Sequence, residues 1–205
     1  MFLHKTPSLF FHLYPSLIWR QATHEKVIYL TFDDGPIPEL TPWVLDILKS
    51  HGAKATFFCV GDNVRKHPHI LQRILEEGHS VGNHTYNHLN GWQTDNLSYL
   101  KNTLKADEEI GKHTQTALFR PPYGRIRRRQ IQQLRHKRIV MWDVLSGDFS
   151  AKLSPEKVLR QSIRHTRPGS IVVFHDNLKA EKNLKHALPA YLEFFGQFGF
   201  QFLAL

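Results

Sequence analysis

From residue 27 to the end of the chain, short apolar runs alternate with longer stretches in which apolar positions recur every three or four residues. That alternation is the pattern of a parallel sheet or barrel covered by helices. It predicts strands at Val27 to Phe32, Ala55 to Val60, Ser80 to Asn83, Ala117 to Phe119, Ile139 to Trp142, Ser170 to Phe174 and Phe200 to Leu205, about seven in all. Helices are predicted between them. Thr41 as N-cap and Pro42 in the first turn open one, Val44, Ile47 and Leu48 form its apolar face, and Gly52 stops it. Ser154 and Pro155 repeat the start signal ahead of Val158, Leu159 and Ile163. The same spacing predicts helices at Val64 to Glu76, Leu97 to Gly111, Arg127 to Lys137 and Leu184 to Phe195. An α/β chain of this kind forms an open doubly wound sheet or a closed barrel, and in both the chemistry gathers at the carboxyl ends of the strands.

Composition narrows the class. With 205 residues, 41% hydrophobic and 22% charged, the chain has globular proportions and suits one domain, which excludes a fibre or a disordered tract. We expect residues 27–205 to form that domain and residues 1–26 to pack on it. Phe and Leu are frequent from Met1 to Trp19, but Pro7, His12 and Pro15 interrupt them. No cleavable signal peptide is read there, an expectation that favours the cytoplasm over secretion. No stretch reaches the roughly 20 apolar residues of a transmembrane helix, so the remaining membrane option is peripheral contact.

The net charge of +9 favours anionic partners. Arg125, Arg127, Arg128, Arg129, Arg135, Lys137 and Arg138 bring nucleic acid into view, yet no recognised nucleic-acid module accompanies them, so no nucleic-acid partner is expected. Because they follow Arg120-Pro121-Pro122-Tyr123-Gly124, they could instead flank a cleft and attract an anionic glycan. Cys59, the single cysteine, lies in an apolar run and reads as a core residue, and His79 reads as structural.

Five segments carry chemistry, each at a predicted strand end. Asp33 and Asp34 in Thr31-Phe32-Asp33-Asp34-Gly35-Pro36 point in different directions, so one can bind a metal while the other faces water. His84 and His88, four apart, would share one face of a helical turn and could bind one ion. Two histidines and one carboxylate leave coordination positions open, as a catalytic metal site requires. Arg120 to Gly124 forms a proline-stiffened loop, Trp142 to Phe149 carries Asp143 and Asp148, and His175 with Asp176 closes the strand that contains Val173. Such a ligand set also builds non-haem iron oxygenase sites, although those need neither an Asp-Asp pair nor a separate proton-donating histidine.

Together and in this order, the five segments resemble the NodB-type polysaccharide deacetylases, carbohydrate esterase family 4. The resemblance runs from Thr31 to His175. It implies a distorted (β/α) barrel, typically of seven strands, that removes acetyl groups from the sugars of an acetylated glycan. It also implies one divalent metal, zinc foremost, with cobalt, nickel or iron compatible. By the same resemblance the metal ligands are Asp34, His84 and His88, the base is Asp33, and Arg120 orients that base. The backbone N–H of Tyr123 is then an oxyanion donor, His175 the acid, and Asp148 the partner of His175. Leu145 and Phe149 depart from the family's usual DxxDW in the fourth segment, and Val173 replaces the usual Leu before His175. The first two departures motivate the alternative of a catalytically weakened glycan-binding protein of the same fold.

Overall fold

A computed structural model describes residues 3–205. In chain order it contains α1 (Leu9–Leu13), β1 (Val27–Asp33), α2 (Thr41–Ser50), β2 (Ala55–Cys59), α3 (Gly61–Lys66), α4 (Pro68–Glu76), β3 (Ser80–Asn83), α5 (Asn96–Gly111) and β4 (Leu118–Phe119). These are followed by α6 (Arg128–Gln133), β5 (Arg138–Ile139), β6 (Val144–Leu145), α7 (Pro155–His165), β7 (Ile171–His175), α8 (Glu181–Gln197) and β8 (Gln201–Phe202).

Seven strands pair in the order β5-β4-β3-β2-β1-β7-β6, and β8 adds to the start of β1. Their pairings are parallel. β5 and β6 stand at opposite ends of this order, yet Ile139 and Val144 are only five residues apart, a reach of at most about 18 Å. The sheet therefore has to curl until its ends approach, which makes it the distorted barrel expected from the sequence. Residues 5–20 run along this gap, with bridges from Lys5 to Val144, Ile18 to Val140 and Arg20 to Ser170.

Alternation along the strands sorts residues to the two faces. Ile28, Leu30 and Phe32 of β1 and Val172 and Phe174 of β7 face outward, into the main core beneath α2, α4, α7 and α8. Their neighbours Thr31, Asp33, Ile171, Val173 and His175 are thereby turned inward, where Phe58, Leu118, Val140 and Ile171 form an inner cluster. Asp33 and His175 thus emerge inside the barrel at its carboxyl end.

Several elements differ from expectation for identifiable reasons. β6 was not expected, because two residues carry no periodicity. The stretch from Val64 to Glu76 is two helices, broken at His67, because the residue before a proline is driven out of helical geometry. Leu40, not Thr41, is the N-cap of α2, and the Thr41 hydroxyl serves Asp176 instead. Ser154 does cap α7, accepting from the Lys157 N–H.

Candidate metal centre and active site

Asp33 ends β1 and is the register partner of His175, the last residue of β7. Next to it, Asp34 has φ of 85°, which swings its side chain away from the strand direction. The turn that follows needs Gly35, since a Cβ there would lie 2.0 Å from the Asp176 carboxylate. Asp176 accepts from the Gly35 N–H at 3.0 Å and from the Thr41 hydroxyl at 2.6 Å. Burial pushes its pKa up to about 8.

His84 and His88 reach the same place from the loop after β3. The expected helical turn is absent. Thr85 and His88 both have positive φ, 62° and 55°, and the loop satisfies itself through Asn83 Oδ1, which accepts from the Thr85 N–H. The two rings nevertheless lie 5.1 Å apart, so spacing found the pair while the mechanism of its approach differs.

The protonation of His84 follows from its partner. Nδ1 lies 2.7 Å from the Arg120 carbonyl oxygen, which can only accept, so Nδ1 carries the hydrogen. In the neutral ring Nε2 is then a lone pair, and it points at Asp34 Oδ1, 3.5 Å away. That oxygen is buried without a hydrogen-bond partner, and His88 Nε2 lies 3.0 Å from it. Burial raises the Asp34 carboxyl, but when the His84 and His88 rings carry protons toward it, their hydrogen bonds, with the His175 charge, outweigh burial and hold the group well below the usual range. Three electron-pair donors from Asp34, His84 and His88 thus lie within 4.8 Å of one another. A divalent cation with open coordination positions fits this donor set.

Arg120 is wholly buried in the barrel and joins its opposite walls. Its guanidinium donates to Thr31 Oγ1 and Asp33 Oδ1, both at 2.7 Å, and to the carbonyls of Val140 and Met141 at 3.2 and 2.9 Å. It also stands over the Phe58 ring at 4.1 Å. With Oδ1 of Asp33 taken by Arg120, Oδ2 is the oxygen that faces the site, 4.0 Å from His84 Nε2.

His175 is held by Asp148, whose Oδ1 accepts from Nδ1 at 2.8 Å and whose Oδ2 accepts from the His175 backbone N–H at 2.7 Å. Burial disfavours the imidazolium, but the Asp148 charge prevails and raises the His175 pKa to about 9. Phe149 lies edge-on to the same ring at 5.0 Å. Tyr123 has φ of 61° and sets its ring against His88 at 4.6 Å. All of these residues line or flank a cleft of about 860 Å³, to which Trp142, Leu145 and Val173 add an apolar wall.

Sequence reasoning overlooked Asn177. Its amide donates to Asp34 Oδ2, and its carbonyl accepts from the Ala180 N–H, which fixes the orientation of the amide. Asn63 likewise donates to the Asp34 carbonyl at 2.8 Å. Neither belongs to a motif, and only the HD step before Asn177 hinted at a strand end. His79 accepts from the Ala55 N–H, and burial lowers its pKa to about 4, so it stands apart from the centre as expected.

Residues 20–142, more than half of the chain, match the family model described as polysaccharide deacetylase. A peptidoglycan-N-acetylglucosamine deacetylase of Bacillus cereus is 38% identical over 152 residues, 72% of this chain but only 55% of that protein. Among solved structures, the Bc1960 peptidoglycan N-acetylglucosamine deacetylase superposes with a TM-score of 0.89 at 31% identity, over 97% of this chain and 95% of that one. BA3943 of Bacillus anthracis, described as a CE4 family pseudoenzyme, gives a TM-score of 0.82 at 26% identity, over 92% of this chain and 66% of that one.

Proposed function

The chain belongs to the polysaccharide deacetylase family, and on that premise we propose that it hydrolyses acetyl groups from the N-acetylated, or O-acetylated, sugars of a glycan with the help of one divalent cation. One observation carries this reading: Asp34, His84 and His88 converge at the strand end where Asp33 and His175 are register partners. Zinc suits two imidazoles and a carboxylate, and cobalt, nickel or iron are compatible with the same set. Bound there, the cation supplies Lewis acidity toward the acetyl carbonyl and toward water.

The protein groups divide the remaining work. Asp33 Oδ2 accepts the proton of the attacking water, and Arg120 keeps that oxygen aimed by occupying Oδ1. Asn177 occupies Oδ2 of Asp34 and so leaves Oδ1 as its donor. The Tyr123 N–H stabilises the developing oxyanion, a contribution of about 3 to 4 kcal/mol for one such donor. His175, oriented through Nδ1 by Asp148, presents Nε2 to the departing amine and delivers its proton.

The assay is acetate release from an N-acetylglucosamine oligomer. We expect a chelator to abolish it and a divalent metal to restore it. Because the proton on His175 is needed and is lost as pH rises through its pKa, activity falls on the basic side at or below about pH 9, a nearby cation opposing the imidazolium. Acetate release that survives complete metal removal, or no release from any acetylated glycan by the metal-loaded protein, would contradict the proposal. The second outcome favours a weakened glycan-binding protein, a reading motivated by Leu145 and Phe149 in the fourth segment. Against that reading, the ligand, base and acid positions are all filled.

A further inference from the structure

Helix α1 is fastened to the domain by one side only. Phe11 stacks on Trp19 with ring centroids 5.7 Å apart, and Phe11 and Tyr14 pack on the buried cluster that contains Leu17, Trp19, Leu134 and Ile139. On the other side Leu9 and Leu13 are 62% and 58% exposed, and Phe10, whose ring also meets Trp19 with centroids 6.1 Å apart, is 41% exposed. This is an apolar knuckle held in place by its own aromatic anchor.

Apolar surface alone selects no partner, but the charge around it does. No Asp or Glu occurs among residues 3–24, where Lys5 and His12 are exposed. Helix α6 rests on the same buried cluster through Ile131 and Leu134, and residues 110–142 also lack any Asp or Glu. Within that stretch Arg125, Arg127, Arg128, Arg129, Arg135 and Arg138 are exposed, and none forms an ion pair among the described residues.

A nucleic acid would use these arginines and leave the knuckle in water. An uncharged protein partner would cover the knuckle and strip water from arginines that have no counter-ion. The headgroup layer of an anionic bilayer meets both demands, with phosphates for the arginines and an acyl boundary for the apolar side chains. We propose that this face docks the protein peripherally on an anionic lipid surface, with Leu9, Phe10 and Leu13 entering the headgroup boundary and the α6 arginines at the lipid phosphates. The proposal does not depend on the catalytic reading.

Co-sedimentation with vesicles of phosphatidylcholine, with and without phosphatidylglycerol, tests it on the full chain. Binding should require phosphatidylglycerol. It should weaken about tenfold or more both for Leu9→Ser with Leu13→Ser and for Arg128→Glu with Arg129→Glu. All four side chains are exposed, so thermal unfolding of both variants should match the parent and separate lost docking from lost folding. No sedimentation with phosphatidylglycerol vesicles would overturn the proposal. So would undiminished binding by either folded variant, because loss through the arginines alone marks simple anion binding without insertion.

Discussion

Asp33→Asn is expected to lower kcat for acetate release about a thousandfold, within the range for loss of a general base, while the protein keeps one equivalent of divalent cation. The asparagine carbonyl can still accept from Arg120 in place of Oδ1, so the strand end keeps its alignment. What disappears is the second carboxylate oxygen, which faces the site and alone can take a proton. Acetate assays alongside metal analysis separate the outcomes. A fall of less than about tenfold moves the base elsewhere, and joint loss of metal and activity makes Asp33 a ligand.

The second large effect concerns Arg120. As the largest wholly buried side chain, it ties Thr31 and Asp33 of β1 to the Val140 and Met141 carbonyls across the barrel. Arg120→Ala leaves the buried Asp33 carboxylate without its counter-charge and opens a cavity beside Phe58, so it should cost about 3 to 5 kcal/mol of stability. Chemical denaturation measures this directly. In an Asp33→Asn background no orphaned charge remains, and the cost of losing Arg120 should fall by at least about 1 kcal/mol. Equal costs in both backgrounds would show that Arg120 acts through packing and its other hydrogen bonds, without a contribution from the Asp33 charge.

The strands were legible where burial on both faces leaves the sequence no freedom. Ser80–Asn83 matches its expected span residue for residue, β1 and β2 differ by a single residue at one end, and β7 is shifted by one residue at both ends. Val144–Leu145 was illegible, because its place in the sheet is imposed by Lys5 and by its register with Val172 and Val173, which are far away in the chain. At His67 the helical periodicity continued from Val64 to Ile70 and Leu71 and masked what Pro68 does to the backbone.

The site divides in the same way. Strand alternation is a local property, so the position of Asp33 and His175 at one end could be read in advance. The left-handed backbone at Asp34, Thr85, His88 and Tyr123 could not, because each is a non-glycine residue held there by surroundings that the sequence does not display. Asn177, and the role of Asp176, escaped for a related reason. Their value lies in the partners they meet, Asp34 in one case and Gly35 with Thr41 in the other, and not in any spacing of their own.

The ligand set can be read most directly by anomalous diffraction at the zinc edge from crystals of the zinc-loaded protein. One strong peak is expected about 2.0 to 2.2 Å from Asp34 Oδ1, His84 Nε2 and His88 Nε2, with solvent completing the coordination on the side of Asp33 and His175. A peak seated on other residues, or a fourth protein ligand that closes the coordination sphere, would contradict it.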